Sequence, residues 1–134
     1  MTDRILEFLR NRREDGPCLV LDLDAVRDNY ASFAKALPDT RVFYAVKANP
    51  DPRVLEVLVR LGSCFDTASV VEIEQVLAAG ASVDRISYGN TIKKERDIKR
   101  AFELGVRLFA VDCEAEVEKI ARAAPEAKVF CRML

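Results

Sequence analysis

The sequence predicts an α/β fold of parallel strands, a partial TIM-type (β/α)8 barrel with about five of the eight β/α units. Two observations support this prediction. Strand-like apolar runs begin near residues 42, 64, 86, 108 and 129, at nearly constant spacing. The segments between them carry apolar residues at helical spacing, so each period of ~22 residues holds one strand and one helix. Strands that alternate with helices in this way lie parallel and are joined by right-handed crossovers.

The helices between the strands have recognisable ends. The first is expected to begin at Asp51-Pro52, a capping residue followed by proline, and to end at Gly62. The second is expected to run from Ser69 to Gly80, and Ser69-Val-Val-Glu72 matches a capping box. The third and fourth helices are expected over about residues 93–105 and 114–124.

Residues 1–37 form an N-terminal region that precedes the repeating units and leads into the incomplete barrel of residues 38–134. It is expected to contain an amphipathic helix over residues 3–13, a short strand over residues 18–23 and a second helix over residues 24–37. Asp24 is the expected N-cap of the second helix.

The alternative architecture is an open, doubly wound sheet. Such sheets usually carry a glycine-rich phosphate loop after the first strand, whereas Lys47-Ala-Asn-Pro-Asp-Pro52 contains no glycine at that position. The pattern therefore favours the barrel. A complete barrel requires about 250 residues, so we expect the chain to be the N-terminal part of a longer protein.

Composition and charge exclude several classes of function. The formal net charge is −1 and no basic block occurs, which argues against a nucleic-acid partner. No apolar run is long enough to span a membrane, and the N-terminus lacks the pattern of a signal peptide, so we expect a cytoplasmic protein. The chain has no histidine and four isolated cysteines, so catalytic triads based on histidine are excluded and no metal site is assigned.

Lys47 is the first candidate for chemistry. Side chains alternate along a strand, so Phe43, Ala45 and Lys47 are expected on one face, with Lys47 at the carboxyl end. Barrel enzymes place catalytic residues at that end, and a lysine walled by apolar side chains loses solvation, which favours attack on an aldehyde. The alternative, which the residues alone favour, is a lysine that extends to solvent at a strand end.

Three further side chains are candidates at the same end of the sheet. Asp66 follows the next strand and is expected to project toward Lys47. Glu72 is equally explained as a capping-box residue. Arg132 lies in an apolar run and requires an anionic partner, either a ligand or an acid on a neighbouring strand.

Two strand ends have simpler explanations. Tyr88-Gly89-Asn90 fits a loop beside a ligand and an ordinary turn equally well. Asp112 can serve simply as the cap of the helix that follows it.

Several motifs in order resemble the eukaryotic-type ornithine decarboxylase family, which belongs to the alanine-racemase-like fold of pyridoxal-phosphate enzymes. The resemblance covers the chain from about Pro17 to Arg132. The matching segments are Phe43-Tyr-Ala-Val-Lys-Ala-Asn49, Leu61-Gly-Ser-Cys-Phe-Asp-Thr-Ala-Ser69 with Glu72-Ile73, Ile86-Ser-Tyr-Gly-Asn90 with Lys93, and Phe109-Ala-Val-Asp-Cys113.

The resemblance implies roles for individual residues. Lys47 resembles the lysine that holds the aldehyde of pyridoxal phosphate covalently, which reverses the preference for a solvent-directed lysine. Ala45 resembles a cofactor-lining residue, and Arg132 resembles the arginine that approaches the phenolic oxygen of the ring. Asp66 and Glu72 resemble the acidic residues near the covalent link. The remaining cofactor- and substrate-binding residues of the family are expected beyond Leu134.

The resemblance also implies substrate and assembly. The expected reaction is decarboxylation of a basic amino acid, with L-ornithine to putrescine in polyamine biosynthesis preferred. We expect this chain by itself not to decarboxylate, and the full-length protein to be a homodimer. The strand over residues 18–23 is a candidate for a second, β-rich domain. Alternatives are a diaminopimelate, arginine or lysine decarboxylase of the same fold, or a catalytically silent relative that binds a partner protein.

Overall fold

The computed structural model describes residues 1–133 and contains six α-helices and five strands in them. The helices are α1 (Asp3–Asn11), α2 (Leu23–Ala36), α3 (Pro52–Arg60), α4 (Val70–Ala78), α5 (Glu95–Glu103) and α6 (Glu114–Ala123). The strands are β1 (Phe43–Ala45), β2 (Cys64–Thr67), β3 (Ile86–Tyr88), β4 (Leu108–Val111) and β5 (Lys128–Cys131). Each strand begins within one residue of its predicted start.

The five strands form one parallel sheet in the order β1-β2-β3-β4-β5. Phe43 pairs with Cys64, and Phe65 pairs with Ile86. A doubly wound sheet reverses its strand order at a switch point, whereas here every strand lies beside the next one in sequence. The α/β fold with part of a TIM-type barrel is therefore confirmed.

The core lies between the sheet and the helices that cover it. Phe65 and Phe109 on the strands and Leu55, Ile73 and Ile98 on the helices are at most 1% exposed. Fully burying a side chain of this size contributes about 1.5–3 kcal/mol each. This packing fixes the positions at which the strands end, and the candidate site lies at those ends.

Two of the predicted helix caps are confirmed and one is wrong. Asp51 caps α3 by accepting a hydrogen bond from the backbone N–H of Arg53, and Ser69 caps α4. The cap of α2 is Asp22 and not Asp24, because the Asp22 carboxylate accepts from the backbone N–H groups two and three residues further on. Asp24 instead lies in the first turn of α2.

The strand predicted over residues 18–23 is not formed. Residues 18–22 have neither helical nor strand structure, and Leu19 is 88% exposed. A strand needs a neighbour to accept its backbone hydrogen bonds, and in the described part of the chain the sheet ends at β1 without pairing to this segment. Its assignment to a second domain stays a prediction. Within residues 1–133, the structure has no helix with the length and hydropathy of a membrane span.

Candidate functional site

A small cavity of about 100 Å³ lies at the carboxyl end of the sheet. It is lined by residues that follow or end four different strands: Lys47, Asp66, Ala68, Gly89, Asn90, Thr91 and Arg132. The fold therefore brings Lys47, Asp66 and Arg132 together, although they are far apart in sequence. Ala45 and Glu72 do not line the cavity.

Lys47 reaches the cavity from a tight turn and not from the strand itself. β1 ends at Ala45, and Val46–Ala48 form a short 3-10 helix. Val46 is fully buried in the core and holds this turn, whereas Lys47 is exposed. The expected apolar wall around Lys47 is wrong, because strand alternation does not extend past the end of β1 into a 3-10 turn.

The Lys47 amine has no assigned partner in the structure. Among residues 1–133, its Nζ atom makes no hydrogen bond and no ion pair. Its amine is therefore accessible to a molecule that enters the cavity.

Asp66 is held in place by a buried serine on the neighbouring strand. Asp66 and Ser87 are register partners, and the Asp66 Oδ1 atom accepts a hydrogen bond of 2.7 Å from the Ser87 hydroxyl. Ser87 is only 2% exposed. Because one carboxylate oxygen is tied to a buried donor, the second oxygen remains available to the cavity.

Gly89 permits this arrangement through its lack of a side chain. A Cβ atom built on Gly89 would overlap all three atoms of the Asp66 carboxylate group. The backbone N–H of Gly89 also donates a 2.8 Å hydrogen bond to the Thr67 carbonyl, which keeps the two strand ends close. Gly89 and Asn90 line the cavity, and whether this loop lies beside a ligand stays a prediction.

Glu72 acts at the start of α4. The Ser69 hydroxyl accepts a 3.2 Å hydrogen bond from the Glu72 N–H, and the Glu72 carboxylate accepts one of 2.7 Å from the Ala68 N–H. The reciprocal pair resembles a capping box, shifted by one residue at the second bond. Glu72 therefore fixes the backbone of Ala68, which does line the cavity.

Arg132 has an acidic partner on the adjacent strand end. Its Nη2 atom donates a 3.2 Å hydrogen bond to Asp112, and its own backbone N–H bonds to the Val111 carbonyl. Of the two partners considered for Arg132, the structure contains the neighbouring acid. Asp112 is not the cap of α6, because α6 begins after Cys113 without a side-chain cap. The Arg132 side chain remains 57% exposed, so the pair leaves part of its guanidinium accessible.

Sequence reasoning assigned no role to Lys93 beyond its place in a motif, and it overlooked Glu116. The Lys93 side chain is fully buried, and its Nζ atom donates to the backbone carbonyls of Asn90, Thr91 and Ala110 at 2.9, 3.2 and 2.6 Å. Glu116 lies 3.4 Å away and is itself buried. One signal was available, because Glu116 lies one turn before Ile120 on the buried face of α6.

The pKa values of this pair reflect burial and mutual attraction. Burial lowers the pKa of Lys93, and the nearby carboxylate of Glu116 offsets only part of that effect. Burial by itself raises the pKa of Glu116, but the hydrogen bond from Lys119 and the charge of Lys93 outweigh it and lower the pKa on balance. The lowered pKa keeps Glu116 ionised at neutral pH, beside the amine of Lys93.

The cavity combines the exposed Lys47 amine, a tethered carboxylate and a partly free guanidinium at the mouth of a parallel β/α sheet. These features are those expected of a β/α protein that holds an anionic carbonyl compound, such as pyridoxal phosphate, through a lysine. The family model for the pyridoxal binding domain of pyridoxal-dependent decarboxylases matches residues 23–134. The chain belongs to this family.

Individual relatives agree with the family. The chloroplastic ornithine decarboxylase of Nicotiana glauca is 42% identical over 135 residues, which cover 99% of this chain and 31% of the relative. Antizyme inhibitor 2 of Xenopus laevis is 35% identical over 99% of this chain and 29% of its own length. The chain therefore spans about a third of the length of the curated relatives it matches.

Solved structures agree as well. A lysine decarboxylase from Selenomonas ruminantium superposes with a TM-score of 0.87 at 38% identity, over 99% of this chain and 35% of its own. The arginine decarboxylase of Paramecium bursaria Chlorella virus, bound to agmatine, gives a TM-score of 0.90 at 28% identity, over 99% and 36%. The structure of SrLDC, which contains PLP and cadaverine, gives a TM-score of 0.88 at 38% identity, over 100% and 35%.

Proposed function

We propose that this chain supplies the covalent cofactor anchor of a pyridoxal-phosphate-dependent decarboxylase of basic amino acids, with L-ornithine as the preferred substrate. The observation that carries the proposal is the meeting of Lys47, Asp66 and Arg132 in one cavity. When bound, pyridoxal phosphate supplies the electron sink that accepts the electron pair left by departing carbon dioxide.

Each residue has a proposed task that follows from its surroundings. Lys47 would hold the cofactor aldehyde, since its amine has no assigned partner among the described residues. Asp66 would orient or exchange a proton beside that link, because its second oxygen is not tied by Ser87. Arg132 would approach an oxygen of the ring while Asp112 holds it in place.

Ala45 and Glu72 remain proposed site residues with indirect support. Ala45 is the register partner of Asp66 on β1, one residue before the turn that carries Lys47. Glu72 reaches the cavity only through the backbone of Ala68. Their expected effect is on the shape of the site more than on the chemistry.

The anchor can be tested on the 134-residue chain with pyridoxal phosphate and borohydride, followed by peptide mapping. Lys47 is expected to be labelled ahead of the exposed Lys94, and Lys47→Ala is expected to remove most of the label. Lys94→Ala is the matched control and should change nothing. Equal labelling of both lysines would show that Lys47 is not a selective anchor.

The chain matches only about a third of each relative, so activity has to be tested together with the remaining two thirds of such an enzyme. A chimera in which residues 1–134 replace the matching segment of the Selenomonas ruminantium lysine/ornithine decarboxylase tests it, because the two are 41% identical over 122 residues. We expect release of carbon dioxide from ornithine, lost on Lys47→Ala, and a homodimer in solution. Faster turnover of lysine, arginine or diaminopimelate would select one of the alternative substrates.

A second candidate function is a catalytically silent protein that binds a partner. The similarity to antizyme inhibitor 2 favours it, because that relative carries the name of an inhibitor and not of a decarboxylase. A chimera that folds and dimerises but neither binds pyridoxal phosphate nor releases carbon dioxide would support this second candidate.

A further inference from the structure

A buried lysine outside the cavity is hydrogen-bonded to the backbone that forms one of its walls. The loop between β3 and α5, Gly89–Lys94, contributes Gly89, Asn90 and Thr91 to the cavity lining. Two of those three residues, Asn90 and Thr91, present their carbonyl oxygens to the Nζ atom of Lys93. The same Nζ atom donates a hydrogen bond of 2.6 Å to the carbonyl of Ala110, which lies in β4.

Lys93 is in turn fixed from the side of α6. The Glu116 carboxylate accepts a hydrogen bond of 3.3 Å from the Lys93 backbone N–H and lies 3.4 Å from its Nζ atom. The Lys119 Nζ atom donates a hydrogen bond of 2.6 Å to the Lys93 carbonyl and also forms an ion pair with Glu116. The Lys93 and Glu116 side chains are 0% and 4% exposed, so water cannot replace these bonds.

We propose that Lys93 is a positioning residue for the cofactor cavity, with Glu116 and Lys119 as its supports. Its ammonium group binds the wall-forming loop to β4, so that Asn90 and Thr91 stay at the distance from Lys47 at which pyridoxal phosphate can enter. This proposal rests on the proposed function, since it assigns the cavity to that cofactor. Lys93 itself does not line the cavity.

The geometry explains why this position requires a charged donor. Three carbonyl oxygens and one carboxylate surround a single Nζ atom, and an ammonium group donates up to three hydrogen bonds. Lys93→Met keeps the side chain to within one atom of its length and removes every hydrogen bond that the Nζ atom donates. The carbonyls of Asn90, Thr91 and Ala110 would then lose their buried donor. Because an unpaired buried carbonyl is costly, the loop is expected to shift until these carbonyls bind other donors.

The experiment uses borohydride trapping of pyridoxal phosphate in the 134-residue chain. Lys93→Met is expected to lower the rate of labelling at Lys47 about tenfold, because small displacements of positioning groups have effects of this order or larger. The matched control is Lys94→Met, the exposed neighbour, which should label Lys47 at the wild-type rate. Wild-type labelling in a folded Lys93→Met chain would overturn the proposal.

A second variant covers the case in which Lys93→Met does not fold. Lys119 is 25% exposed, so Lys119→Met removes one support of Lys93 at a site that water reaches. It is expected to slow labelling of Lys47 by roughly threefold at unchanged secondary structure. The substitution removes the hydrogen bond from Lys119 to the Lys93 carbonyl but leaves the bonds of the Lys93 Nζ atom in place. No change in a folded Lys119→Met chain would count against the proposal.

Amide hydrogen exchange separates this proposal from the proposed function. In Lys93→Met, or in Lys119→Met where the first variant is unfolded, the amides of Gly89–Thr91 are expected to exchange about tenfold faster than in Lys94→Met. If wild-type Lys47 is not labelled selectively, the assignment of the cofactor fails, and the exchange result alone decides whether Lys93 holds the loop. Unchanged exchange at Gly89–Thr91 would refute the positioning role in either case.

Discussion

The close approach of Gly89 to Asp66 gives a prediction whose size follows from the structure. Gly89→Ala would place a Cβ atom inside the Asp66 carboxylate group. The φ angle of Gly89 is not in the left-handed region, so backbone strain does not contribute. Either the loop or the carboxylate must move, and in both cases the 2.7 Å bond from the Ser87 hydroxyl is lost or stretched.

The expected cost of Gly89→Ala is about 2 kcal/mol in the free energy of unfolding, because overpacking costs about 1–3 kcal/mol. For a domain of this size the melting temperature should fall by roughly 5–10 °C. Urea denaturation followed by circular dichroism measures the change directly.

A double-mutant cycle with Asp66→Ala tests the mechanism. Asp66→Ala removes the atoms with which the new Cβ collides, and the Ser87 hydroxyl can still donate to the Phe65 carbonyl at 3.4 Å. In that background Gly89→Ala should cost only a few tenths of a kcal/mol, so most of the ~2 kcal/mol appears as coupling between the two sites. An equal cost in both backgrounds would refute the steric explanation.

Two further predictions concern α4 and the buried pair. Ser69→Ala removes the acceptor for the Glu72 N–H and should destabilise the chain by about 1 kcal/mol in urea denaturation, whereas Ser32→Ala on the exposed face of α2 should not destabilise it. The pKa of Glu116 is lowered on folding, so its ionisation contributes stability above its ordinary pKa of ~4.3 that is lost as pH falls through the lower folded value. The difference in urea midpoint between wild type and Glu116→Gln should therefore shrink from pH 7 to pH 3, and a constant difference would contradict this account.

The strand positions could be predicted because they depend on a repeated pattern. A period of ~22 residues leaves little freedom for where a strand and a helix fit, and the caps Asp51 and Ser69 mark helix starts through local hydrogen bonds. The same reasoning failed for α2, where Asp22 and Asp24 are both acceptable caps and only tertiary packing decides between them.

The grouping of the candidate side chains was predicted in outline and not in detail. That Lys47, Asp66 and Arg132 meet in one cavity follows from their places at strand ends, since the carboxyl ends of parallel strands share one edge. The direction of Lys47 could not be predicted, because β1 ends two residues earlier and a 3-10 turn follows. The burial of Lys93 was not predicted, because it depends on partners that the local sequence does not reveal. These partners are the backbone carbonyl of Ala110 and the carboxylate of Glu116, and both are distant from Lys93 in sequence.

The regular strand order has a consequence for how the chain folds. Phe43 with Cys64, Phe65 with Ile86, and Ser87 with Leu108 are each separated by the same 21 residues. No strand in the described region must wait for a partner from the far end of the chain, so the loop-closure entropy for each new pairing is similar and modest. The contact order is correspondingly low for a parallel sheet, because each strand pairs with the next one in sequence.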